Sequence, residues 1–163
     1  WSVGGGSNGD GLGCGSNYPN NADSWMVYGP FSLADATAGD LSFKLWLNSE
    51  SNYDGLCRMA SNDGVNFYGS CTTGNTSGWI DRVLDLTSVP SLGSLMGQSN
   101  VWVAMVFSSD SYTNGPEGAY VDNIVLRKYI SSMGLTANVP SFDASDEQTK
   151  EVPAIRKLQK GRP

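Results

Sequence analysis

The sequence predicts an all-β protein, an antiparallel β-sandwich, and three observations carry that prediction. Residues 55–71 (GLCRMASNDGVNFYGSC) place Cys57 and Cys71 seven residues either side of Gly64. Asn62, Asp63 and Gly64 tolerate the backbone conformations that tight turns demand, so the chain folds into a hairpin and Cys57 comes opposite Cys71. Only 16% of the 163 residues are charged while 20 are glycine, a composition poor in helix formers and rich in turn formers. Finally, short apolar or alternating segments recur between turn signals, as strands of a sandwich do.

Taken in order, residues 1–24 form a Gly/Ser/Asn-rich approach without strand pattern. Residues 24–33 (SWMVYGPFSL) are a strand interrupted by Gly29-Pro30, which places it at a sheet edge or gives it a bulge. Residues 41–47 (LSFKLWL) alternate, with Leu41, Phe43, Leu45 and Leu47 on one face and Lys44 and Trp46 on the other. The hairpin follows, with a disulfide predicted across it. Residues 79–86 (WIDRVLDL) alternate less cleanly. Residues 101–107 (VWVAMVF) are uniformly apolar, as a central strand buried on both faces is, and 119–127 (AYVDNIVLR) close the body. Residues 87–100 read as a crossing segment with at most one helical turn.

Charge and composition exclude several chemistries. The net charge is −6, unevenly placed: residues 1–128 hold 12 acidic and 5 basic side chains, residues 129–163 hold 4 and 5. An acidic body argues against nucleic acid, whose phosphates need clustered Lys and Arg, and suits a hard cation such as calcium. Histidine is absent, which removes Ser-His-Asp and Cys-His catalysis and the commonest zinc ligand. No apolar run approaches the roughly 20 residues that span a bilayer as a helix. There is no signal peptide, so an exported form is expected to have lost its leader, and the predicted disulfide points to an oxidising compartment.

Up-and-down alternation also says which loops meet. Loops 48–54, 72–78 and 108–118 fall at one end, carrying Glu50, Tyr53, Asp54, Asn75, Asp110, Tyr112 and Glu117. Carboxylates and aromatics gathered there make a candidate binding site, with Tyr53, Tyr112, Asp110 and Glu117 as ligand contacts; solvated loop tips are the alternative. Among the tryptophans, Trp79 and Trp102 are expected in the core and Trp46 is the ambiguous one.

The ordered blocks DSWMVYGPFSL, LSFKLWLNSESNYDGL, MASNDGVNFYG, SGWIDRVLDL, VWVAMVF and GAYVDNIVLRK resemble the MAM-like jelly-roll sandwiches of secreted bacterial proteins, the immune-inhibitor-A-type and cleaved-adhesin modules among them. The resemblance covers residues 1–128. It implies a jelly roll in an extracellular, non-catalytic module, often calcium-stabilised and sometimes binding glycan or protein. Relatives place a first strand before the position of Trp1 and a cysteine after it, so one sheet is expected to lack that strand, and Cys14 to lack that partner. Relatives also place an acidic residue at Asp122. Calcium ligation by Asp122, Asp54 and Glu50 is one reading; capping of amides beside a bulge is the other.

Residues 129–163 depart from the sandwich pattern and read as an extended tail or linker. Docking on their own body and strand complementation of another copy, through a segment such as 133–139, are both open. The expected function is adhesion or self-assembly outside the cell, with other copies or a cell-surface protein or glycan as partner, without nucleic acid or membrane insertion. The alternative is an accessory glycan- or protein-binding domain of a larger secreted peptidase.

Overall fold

The computed structural model describes residues 2–3, 16–112, 117–131 and 150–157. These form nine strands: β1 (Ser2–Val3), β2 (Asp23–Phe31), β3 (Ala36–Asn48), β4 (Gly55–Ser61), β5 (Asn66–Thr73), β6 (Ile80–Asp85), β7 (Val101–Ser108), β8 (Gly118–Ile130) and β9 (Lys150–Lys157). Two antiparallel sheets result, ordered β1-β8-β3-β6 and β2-β7-β4-β5-β9, and no helix occurs among the described residues. The fold is a β-sandwich, as the composition and the turn spacing predict.

The core lies between the sheets. Leu41, Phe43, Leu45 and Leu47 of β3 are at most 3% exposed and share one cluster with Val101, Val103, Met105 and Phe107 of β7. The period-2 alternation of β3 produces this: its other face carries Ser42, Lys44 and Trp46 toward the surface. Each such buried side chain contributes about 1.5–3 kcal/mol relative to exposure. β7 is apolar throughout because its second face is buried as well. There Ala104 and Val106 join Cys57, Met59, Phe67 and Cys71 beneath Trp25, Trp102 and Ala154.

That second core exists because the sheet curls. The Trp25 ring on β2 meets Phe67 on β5 at 5.4 Å, and Arg156 Nη2 on β9 donates to Ser108 Oγ on β7 at 2.7 Å. Each contact passes over two intervening strands, so the outer face of this sheet is concave. The hairpin sits within it: Cys57 and Cys71 are register partners joined by a disulfide. At the turn, Gly64 has φ +68°, and a Cβ there would come within 2.9 Å of the Trp102 ring. β2 is an edge strand whose register slips between Tyr28 and Phe31, around Gly29-Pro30.

Three features of the strand pairing bear on function. The expected boundary after Lys128 falls inside β8, which stays paired with β3 as far as Ile130 opposite Ala36. Residues 150–157 pair with β5 along their whole length, so this part of the tail docks on its own body, where it satisfies the backbone groups of what would otherwise be an edge. On the far side of β8, the two described residues of β1 pair with Tyr120 and Ala119. Segment 133–139 and Cys14 lie outside the described residues. Residues 87–100 form turns rather than a helix; they bury Val89 and Leu95 and close the end opposite the predicted loop cluster.

Candidate functional site

The three loops predicted to meet do so, and hydrogen bonds weld them together. Ser49 Oγ donates to the Asp54 carbonyl at 2.9 Å and accepts from the Gly74 amide at 3.1 Å. The Thr76 amide donates to the Leu47 carbonyl at 2.9 Å. The Asp110 amide donates to Asp54 Oδ1 at 2.7 Å, tying the third loop to the first. A fourth segment, residues 16–22, completes the end. Its Tyr18 hydroxyl donates to Asp54 Oδ2 at 2.7 Å and accepts from the Glu50 amide at 3.1 Å.

At the centre lie three carboxylates. One oxygen from each of Glu50, Asp54 and Asp110 falls within 4.8 Å of the others, and Asp54 is fully buried. Like charges this close repel unless a cation or a shared proton intervenes. Asp54 has its donors, but Glu50 Oε2 is buried with no hydrogen-bond partner, as is Asn20 Oδ1. Burial, and next the hydrogen bond to Asp54, push the Tyr18 hydroxyl well above the ordinary phenol range. Oxygen ligands, negative charge and an unsatisfied oxygen fit a hard cation.

Of the three residues expected to share a metal, Glu50 and Asp54 are together and Asp122 stands apart. Asp122 lies within β8, exposed, in register with Lys44. Its Oδ1 accepts the Asn123 amide at 2.7 Å, beside a bulge where Asn123 has φ +50°. That is the amide-capping alternative. Asp110, expected as a ligand contact, takes the third position in the cluster. Tyr53 and Tyr112 stand out from the loop end at 67% and 87% exposure, and Glu117, half-buried, immediately precedes β8.

A second feature lies on the flank. β1 pairs with Tyr120 and Ala119 alone, so from Asp122 to Ile130 that edge of β8 has no strand neighbour among the described residues. Facing it across the sandwich is the edge of β2, which has no strand neighbour among the described residues. Between them is an apolar cavity of about 100 Å³, lined by Met26 and Tyr28 of β2, Val103 and Met105 of β7, and Ile124 and Leu126 of β8, with Leu41 at its base. Comparison with family models, with curated proteins and with solved structures finds no match for this chain.

Proposed function

We propose that this chain is a non-catalytic, exported β-sandwich module that works through contacts and assembles with other copies of itself by strand complementation. The open seam between β2 and β8 carries the proposal. A strand laid along residues 122–130 would satisfy the exposed backbone groups of β8 and place alternate side chains into the cavity beneath. Head-to-tail addition of this kind builds open fibres unless the rotation closes a ring. The Cys57–Cys71 disulfide supports the exported reading, since such bonds persist in oxidising compartments. We read the order of β1 to β8, which switch sheets at every step except the β4–β5 hairpin, as a jelly roll, in keeping with the MAM-like resemblance. We further propose that calcium bound by Glu50, Asp54 and Asp110 braces the loop end.

The test is mass by light scattering over a concentration series. Wild-type protein is expected to form species larger than a monomer, growing with concentration. Ile124→Lys puts a charge into the seam at a residue already 43% exposed, and is expected to abolish them while leaving the melting midpoint within a few degrees. A wild-type chain that stays monomeric throughout overturns the proposal.

A further inference from the structure

The outer face of the first sheet carries a strip of aromatic side chains that neither the loop end nor the seam uses. Trp46 of β3 faces Tyr120 of β8 in register, their rings 5.4 Å apart and edge to face. On the other flank the β3–β6 ladder ends at Leu45 and Ile80, and Trp79, one residue earlier, lies just past that end, on the Trp46 side. Trp79 was expected in the core; it is 52% exposed. It stands just ahead of β6, where residues 77–79 loop out between the Thr76–Leu47 hydrogen bond and the Ile80–Leu45 pair. Trp46 and Tyr120 therefore pair across two adjacent strands, with the exposed Trp79 just ahead of the third.

Polar residues bound this strip on both sides. Along one side Lys44 lies in register with Asp81 and Asp122, with Nζ of Lys44 2.8 Å from Asp81 Oδ2. Along the other, Asn48 and Asn75 bridge, the Asn75 amide donating to Asn48 Oδ1 at 3.2 Å. A single exposed tryptophan needs no explanation, but a contiguous apolar strip with a polar rim marks an interaction site.

We infer that this strip binds a neutral oligosaccharide chain. A pyranose ring has one face of C–H groups that stacks on the electron-rich face of an indole, and a rim of hydroxyls that seeks carboxylates, amides and ammonium groups. Both are present here, in adjacent rows. The strip is one residue wide, too narrow for the roughly 800 Å² that a stable protein partner buries on each side, while an extended sugar chain is narrow. Lys44 pairs with Asp81, so the row keeps the one net negative charge of Asp122, which disfavours sulfated or sialylated chains; the ligand is neutral.

Affinity electrophoresis through gels containing soluble β-glucan, mannan or galactan tests this, alongside an array carrying neutral and anionic glycans. Retardation by at least one neutral polysaccharide is expected, weakened tenfold or more by Trp79→Ala and partly restored by Trp79→Phe. Trp79 is half exposed, so Trp79→Ala is expected to melt within about 2 °C of wild type, and Trp46→Ala provides a second reading of the same strip. Ile124→Lys is expected to retain full retardation, which separates this site from the assembly seam. Absence of neutral glycan binding in both assays overturns the inference. So does binding that survives both tryptophan substitutions, or binding confined to anionic glycans.

Discussion

The Tyr18 hydroxyl donates to Asp54 Oδ2 at 2.7 Å, joining a residue of the approach segment to the one fully buried carboxylate of the loop end. Tyr18→Phe leaves the ring against Phe107, 5.0 Å away, but takes a donor from Asp54. The expected cost is about 1–3 kcal/mol, the usual consequence of leaving a buried acceptor without its partner. The pH dependence carries a sign. The folded-state pKa of Tyr18 is raised above the ordinary value near 10, so its contribution is complete below that pH. As pH rises toward the folded value, the contribution is lost. Urea unfolding of wild type should therefore weaken above about pH 10 more steeply than that of Tyr18→Phe.

The proposed calcium site predicts a crossing of stabilities. With calcium a hundredfold above its dissociation constant the gain is about 2.7 kcal/mol, a midpoint rise of roughly 5–10 °C for a chain of this size. Glu50→Gln and Asp110→Asn each remove a ligand and should lose most of that rise. Under chelator the order should reverse. The three carboxylates of the wild-type chain then crowd within 4.8 Å of one another, and neutralising one relieves the repulsion. Scanning calorimetry with and without chelator measures both arms; identical midpoints in wild type would refute the site.

Much of the fold was legible because side-chain periodicity acts locally. The alternation of 41–47 set which face of β3 is buried, and the uniform run 101–107 correctly marked β7 as central, with Gly29-Pro30 marking β2 as an edge. What escaped depends on long-range pairing. Residues 150–157 (KEVPAIRK) hold a proline and three basic side chains, a poor strand by composition; β5 makes them one by offering an unfilled edge. Tyr18 escaped because the Gly/Asn-rich residues around it read as loop, and nothing nearby shows that its hydroxyl meets a carboxylate 36 positions on. The pair Arg127–Asp40, bidentate with Nη2 at 2.6 Å and Nε at 2.9 Å from Oδ1, likewise forms only once β8 lies beside β3. Asp122 follows the buried Val121, so alternation along β8 sets it on the outer face beside Lys44, apart from Glu50 and Asp54.

The hairpin turn supplies a prediction at low pH. Asp63 Oδ1 accepts the amides of Asn66 and Val65, both at 2.8 Å. Its Oδ2 accepts the Asn66 side-chain amide at 2.7 Å, and Oδ1 also accepts the Ser61 hydroxyl at 2.9 Å. These donors, the Asn66 and Val65 amides first, hold its carboxyl well below the usual carboxylate range. Its contribution is therefore present above the unfolded value near pH 4 and is lost as pH falls toward the folded one. Asp63→Asn should be less stable than wild type at pH 7, with the gap narrowing steadily below pH 4. A gap that stays constant down to pH 2 would show that the charge on Asp63 is not what the turn uses.

The Cys57–Cys71 disulfide closes a loop with a sequence separation of 14, for which chain entropy alone gives about 3 kcal/mol. Both cysteines also belong to the second core, at 1% and 9% exposure, so the double Cys57→Ala, Cys71→Ala variant keeps that core apolar and isolates the cross-link. A loss of about 2–4 kcal/mol in urea is expected, and reduced wild type should lose a similar amount. The register of the hairpin does not rest on the disulfide: the Asp63 turn and the β4–β7 and β5–β9 ladders also fix it. The variant should therefore unfold more easily yet keep the Trp25–Phe67 contact, seen as an unchanged near-ultraviolet circular dichroism spectrum before unfolding begins. Loss of that spectrum in the native baseline would mean that the disulfide holds the curl of the second sheet, rather than only shrinking the ensemble of unfolded chains.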